Sequence, residues 1–162
     1  MHVAYLLTGS NMEAPKRQVA RAFNLLQKKA GTIRSASGLY RTAAWGITDQ
    51  ADFINQAICL STPLSPRALL KCILAIEIEM GRERKIKMGP RIIDIDILLY
   101  DAWVIEEPGL VIPHPLLPQR RFALEPLVEI AGQVLHPVLK KSMATLLATC
   151  EDPLDVYKIS TE

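Results

Sequence analysis

Asp94 and Asp96 stand one residue apart in Ile92-Ile93-Asp94-Ile95-Asp96-Ile97-Leu98-Leu99-Tyr100, an aliphatic run that reads as a buried β-strand. Strand side chains alternate, so both carboxylates share one face while Ile93, Ile95, Ile97 and Leu99 fill the other. Two like charges held that close raise each other's pKa and cost desolvation energy unless a cation lies between them. Mg²⁺ is bound in this way, by one or two carboxylates plus substrate phosphates. A strand with one face in water would also tolerate the pair, and the neighbouring residues argue for the first alternative.

Upstream lies Gly81-Arg82-Glu83-Arg84-Lys85-Ile86-Lys87-Met88-Gly89-Pro90-Arg91, a cationic loop bracketed by glycines. Beside a metal-binding acid pair, its guanidinium groups offer bidentate donors to phosphate oxygens and neutralise charge that develops in phosphoryl transfer. The glycines would let such a loop close over a substrate. Glu77 shares a helical stripe with Leu70, Ile73 and Met80, an acid where an apolar residue is expected, unless the stripe's edge reaches water. Phe53 and Asn55 share a strand face, a ring for stacking beside an amide that can pair with a heterocycle's edge. Pro113-His114-Pro115 holds a histidine in a stiff loop, with Arg120 and Phe122 close behind. Gly9-Ser10-Asn11 matches neither a Walker loop nor a dinucleotide fingerprint and reads as a turn.

The elements that position these residues follow from periodicity. Val3 to Thr8 is a short buried strand, and Pro15 opens a helix over 15–30 that Gly31 stops. Thr32 to Thr42 reads as one strand and Phe53 to Leu60 as the next, with Gln56 a polar exception on its face. Ser65-Pro66 caps a second helix that ends at Gly81, and the acid-bearing segment 88–100 is the fourth strand. The order β-α-β-β-α-β is the split βαβ arrangement of ferredoxin-like α+β folds, with helices on one sheet face and the other free for a ligand. Beyond Asp101 the chain reads as a short hairpin over 104–112 and an apolar helix over 122–130, a C-terminal extension to that sandwich.

At 162 residues, with no repeat and no linker, the chain reads as a single domain spanning 1–162. A net charge of +2 excludes a gross polyelectrolyte, so no nucleic-acid partner is expected. No window approaches a membrane span, and Cys59, Cys72 and Cys150 form neither a disulfide framework nor a zinc site, which points to a reducing cytoplasm.

With those residues in view, the chain resembles the 6-hydroxymethyl-7,8-dihydropterin pyrophosphokinase family over nearly its whole length. Gly89-Pro90-Arg91-Ile92-Ile93-Asp94-Ile95-Asp96-Ile97-Leu98 looks like the family signature G-P-R-x-x-D-x-D-[IL], supported by Gly9-Ser10-Asn11, Tyr40-Arg41-Thr42, Phe53-x-Asn55, Glu77, Gly81-Arg82-x-Arg84, Pro113-His114, Arg120 and Phe122. The resemblance implies transfer of pyrophosphate from ATP to the pterin's hydroxymethyl group with release of AMP, in folate biosynthesis, by a monomer. It implies that Asp94 and Asp96 bind two Mg²⁺ ions and that Arg82 and Arg91 steady the transferring group. Nucleotide contacts would come from Glu77, Arg82, Arg84, Arg91, Ile97, His114 and Arg120. The pterin would lie between Phe53 and Phe122, bonded by Asn55 and bordered by Thr42, Ala43, Ala44 and Trp45.

The chain departs from many relatives at Ala43-Ala44-Trp45-Gly46, at Met88 and at Pro115, which bears on the contacts expected of a lid rather than on the reaction. Whether Asp96 also accepts the hydroxyl proton stays open. Two other readings share some of these features: an RNA-binding module that uses the open sheet face, and a phospho- or nucleotidyltransferase acting on another alcohol. The first lacks the aromatic pattern such modules present.

Overall fold

The structure, a computed structural model, describes residues 1–43, 50–82 and 90–159. Its strands are β1 (His2–Ser10), β2 (Thr32–Ala36), β3 (Tyr40–Thr42), β4 (Phe53–Thr62), β5 (Asp94–Tyr100), β6 (Ile105–Glu107), β7 (Leu110–Ile112) and β8 (Val156–Lys158). Its helices are α1 (Pro15–Lys29), α2 (Pro66–Glu79), α3 (Arg121–Ala131) and α4 (Met143–Ala148). The main sheet runs β5-β1-β4-β3-β8, with β2 also on β4 and every pairing antiparallel. Taking β2 and β3 together, the first four strands follow the ferredoxin-like order, and β6 and β7 form the expected hairpin.

The sequence marks most of these ends. Pro15 starts α1, and the Ser65 hydroxyl accepts from the Ala68 N–H at 3.2 Å ahead of Pro66 in α2. The strand expected over 32–42 is two strands instead. At the break the Gln56 amide donates to the Ser37 carbonyl at 2.9 Å, and Ser37 Oγ accepts from the Ala57 N–H at 2.9 Å. Gln56, the polar exception, thus supplies a hydrogen bond that the ladder loses there.

Two further expectations are corrected. The fourth strand begins at Asp94 rather than before it, and its alternation fails near its end. Tyr5 pairs with Leu99 and Leu6 with Ile97, so Leu98 is an extra residue in a bulge. Leu99 therefore joins Leu98 on the aspartate side, while Ile93, Ile95 and Ile97 pack with α1 and α2.

The second sheet face is also not bare. One core lies between the sheet and α1 and α2, built from Leu6, Ile58, Leu60, Leu26, Ile73 and Ile76. A second lies on the opposite face, where Leu7, Ala57 and Leu98 meet Leu124 and Leu127 of α3 and Met143 and Leu146 of α4. The α4 helix and edge strand β8 have no counterpart in the periodicity reading. Only part of the face remains for a ligand.

Candidate active site

Cross-strand register assembles the site on this second face. Gly9 of β1 lies between Asp94 of β5 and Asn55 of β4, and Asn55 continues to Tyr40 of β3. Leu7 lies between Asp96 and Ala57 in the adjacent row, and Phe53 pairs with Thr42. Partners in register present side chains on the same face, so the acid pair, the amide and the phenylalanine expected to serve one site do share one surface. Asn55 is 4% exposed, and its Nδ2 is buried with no hydrogen-bond partner. Such a donor costs about 1–3 kcal/mol, a cost that a ligand acceptor would remove. A Cβ on Gly9 would lie 2.2 Å from Asn55 Oδ1, which explains why a glycine stands near the end of β1.

Glu77 is buried, not at a wet edge. Its Oε2 accepts from the Ile95 N–H and from Arg82 Nη1, each at 2.8 Å. The same Arg82 nitrogen reaches Asp94 Oδ1 at 2.7 Å, and Arg91 Nη1 reaches Asp94 Oδ2 at 3.4 Å. Burial raises the Glu77 pKa and Arg82 partly offsets it. Burial lowers the Arg82 pKa, but Asp94 and Glu77 outweigh that and it rises. Arg82 is therefore a firmly charged group held by two carboxylates.

Among the described residues Asp96 has no such clamp. Burial first, and then the charge of Asp94, push its pKa up to about 8 although part of its surface still meets solvent; Arg120 and Arg91 oppose the shift. A dication would relieve that repulsion. Among the described residues no group of three or more His, Cys, Asp or Glu side chains is arranged to hold a metal, so a cation here would rest on two carboxylates and on substrate oxygens. That donor set fits Mg²⁺.

The expected aromatic walls each carry an arginine. The Arg91 guanidinium lies 5.4 Å from the Phe53 ring centroid, and that of Arg120 lies 5.4 Å from the ring of Phe122, at the start of α3. His114 is fixed by its main chain, donating to the Leu98 carbonyl at 3.0 Å, so the bulged residue in β5 anchors the Pro-His-Pro loop. Its Nδ1 accepts from the Leu116 N–H at 3.2 Å, which leaves the ring proton on Nε2. Burial and then Arg120 push the His114 pKa down to about 4.

The Ile97 side chain packs in the α1–α2 core, so only its main chain can meet a nucleotide. Ala43 is half-buried beside Thr42, whose hydroxyl lies 3.4 Å from the Asp155 carbonyl. Ala44, Trp45, Arg84 and Met88 lie outside the described residues.

Sequence reasoning passed over Asn11 as part of a turn. Its Oδ1 accepts from the Arg91 N–H at 2.9 Å, its N–H donates to the Arg91 carbonyl at 3.3 Å, and its Nδ2 donates to Gln50 Oε1 at 2.9 Å and to the Ala51 carbonyl at 3.0 Å. Its only local signal is a fully functional amide in a tight turn. The partners are 39 to 80 positions away.

Residues 5–132 match the family model of 7,8-dihydro-6-hydroxymethylpterin-pyrophosphokinase (HPPK). The chain is 37% identical over 158 residues to a 2-amino-4-hydroxy-6-hydroxymethyldihydropteridine pyrophosphokinase of Bacillus subtilis, covering 97% of this chain and 91% of that one. It is 39% identical over 143 residues to the protein of the same name from Aquifex aeolicus, covering 88% and 89%. Among solved structures, Plasmodium falciparum HPPK-DHPS wild type with STZ-DHP superposes with a TM-score of 0.75 at 18% identity, covering 91% of this chain. This chain spans 43% of that longer one, and the likeness bears on the fold alone. The signature around Asp94 and Asp96, the ferredoxin-like sheet that carries it and the matches along most of the chain agree: the protein belongs to the 7,8-dihydro-6-hydroxymethylpterin-pyrophosphokinase family.

Proposed function

We propose that this chain transfers a pyrophosphoryl group from ATP to the hydroxymethyl oxygen of 6-hydroxymethyl-7,8-dihydropterin, releasing AMP, in folate biosynthesis, as the names of its relatives indicate. The observation that carries the reading is the row Asp94-Gly9-Asn55. A buried amide that lacks an acceptor, and so suits a heterocycle's edge, sits two strands from the carboxylates suited to a metal–triphosphate.

In this reading Asn55 bonds the pterin edge while Phe53 and Phe122 wall its rings, with Thr42, Ala43, Ala44 and Trp45 at its border. The hydroxymethyl oxygen forms a bond to the β-phosphorus, the bond from that phosphorus to the oxygen bridging to the α-phosphate breaks, and its electron pair leaves with AMP. Asp94 and Asp96 are the residues to hold Mg²⁺, two ions by family likeness, which when bound supplies charge neutralisation to the triphosphate. Arg82, kept charged by Glu77 and Asp94, and Arg91 steady the transferring group. Arg120, Arg84, the Nε2–H of His114 and the main chain at Ile97 serve the nucleotide. The hydroxyl proton goes to Asp96 or to solvent. The whole chain acts as one domain, a cytoplasmic monomer whose partners are ATP and the pterin, with no nucleic acid and no membrane. No helix among the described residues is long and apolar enough to cross a membrane.

Purified protein assayed with ATP, Mg²⁺ and a panel of alcohols tests this against the broader transferase reading. Pterin-dependent AMP release is expected, reduced about 10²- to 10³-fold by Asp94→Ala or Asp96→Ala with circular dichroism unchanged. Equal rates with a simple alcohol, or near wild-type activity in either variant, would contradict it.

A further inference from the structure

The first turn of α3 has no cap of its own. Arg120 occupies the N-cap position without a capping hydrogen bond from its side chain, and Pro126 has no N–H to offer the Phe122 carbonyl one turn back. The acceptor missing at this cap comes from residues 150–154, beyond the stretch that the family model matches. Asp152 Oδ2 accepts from the Arg121 N–H at 3.1 Å, the Asp152 carbonyl accepts from Arg121 Nε at 3.1 Å, and the Cys150 carbonyl accepts from Arg121 Nη2 at 2.8 Å. Asp152 is itself 9% exposed, and its Oδ1 accepts from the Leu154 N–H at 3.1 Å. Main chain and side chain of Arg121 are thus gripped together, and Arg121 lies between Arg120 and Phe122. Burial pulls the Arg120 pKa down, Asp96 and Asp94 counter it, and the Asp152 charge acts in the same direction as theirs.

We propose that Asp152 is a positioning residue for the site: by holding Arg121 it sets the first turn of α3, and with it the Phe122 ring against the pterin and the Arg120 guanidinium near Asp96. The inference rests on the roles given to Phe122 and Arg120 above. It assigns a part in substrate binding to a segment beyond the residues that the family model matches.

The test is a double-mutant cycle in the full chain, with Asp152→Ala, Phe122→Ala and the pair, reading pterin affinity by calorimetry in the presence of Mg²⁺ and a non-hydrolysable ATP analogue. Asp152→Ala is expected to weaken pterin binding about tenfold, and to weaken it little further once Phe122 is gone. Asp152→Asn, which keeps a carbonyl oxygen for one N–H, recovers most of the affinity. Equal losses in both backgrounds, or a lowered Tm with unchanged affinity, would overturn the proposal. If Asp152→Ala does not fold, Arg121→Lys, which loses the guanidinium fork, carries the same cycle. Phe122→Ala without effect on pterin binding would overturn the site assignment and this inference with it. A pterin-weakened Phe122→Ala beside a neutral Asp152→Ala would sink the inference alone.

Discussion

Asn55 and Gly9 tie chemistry to packing. The amide lies across the glycine, and any Cβ there would collide with its oxygen at 2.2 Å. Gly9→Ala is therefore expected to leave the fold standing, because only a side-chain amide must yield, while raising the pterin KM about tenfold and the ATP KM by much less. Separate titration of the two substrates checks this, and an equal rise in both would contradict it. His114 carries a pH prediction. Folded it titrates near pH 4 and unfolded near 6.5, so between those values the unfolded chain binds the extra proton. Stability falls as pH drops through that window, by about 3 kcal/mol in all, and levels off below it. Urea unfolding between pH 7.5 and 4.5 should show a steeper loss for the wild type than for His114→Gln, and parallel losses would refute the assignment. At this scale the sequence was informative: the acid pair, Glu77 and Asn55 each stand out as polar groups among apolar neighbours, whereas core packing accounts for Phe53 almost as well as a site does.

Between elements the long-range clamps matter more than periodicity. Asn11 follows β1 yet holds Arg91 ahead of β5 through both main-chain groups, and it binds residues 50 and 51 ahead of β4. Asn11→Ala is expected to let the Arg91 guanidinium drift from Asp94 and lower kcat about tenfold, with pterin affinity changed less, and Asn11→Asp should retain part of the rate by keeping the acceptor for the Arg91 N–H. Unchanged kcat in Asn11→Ala would remove this role. None of it was legible in sequence, since a hydrogen bond across 80 positions leaves no local pattern. The same holds for the break at Ser37 and the bulge at Leu98. Both are irregularities in pairing, the first met by Gln56 and Ala57 of β4 and the second by the His114 N–H, and alternation along a single strand carries no trace of them.

For the molecule as a whole, β1, β4, β5, α1 and α2 were readable because each carries an apolar run or stripe visible in sequence, whereas β2 is largely exposed and the segment over 32–42 reads as one strand where there are two. The third layer was read in part. The helix over 122–130 was expected, but not that it would cover the aspartate-bearing face, because a helix's apolar stripe names no partner. α4 is a single short helix and β8 three residues, both too short to show a period. The outcome is a sheet packed on both sides, with the candidate site on the part of one face that α3 and α4 leave, its proposed residues standing on or beside β1, β4, β5 and the start of α3. Phosphorus NMR of a turnover mixture of protein, ATP, Mg²⁺ and 6-hydroxymethyl-7,8-dihydropterin shows which phosphate bond the protein cleaves. AMP and a pterin diphosphate ester in equal amounts are expected; ADP with a pterin monophosphate, or no pterin-dependent product, would rule pyrophosphoryl transfer out.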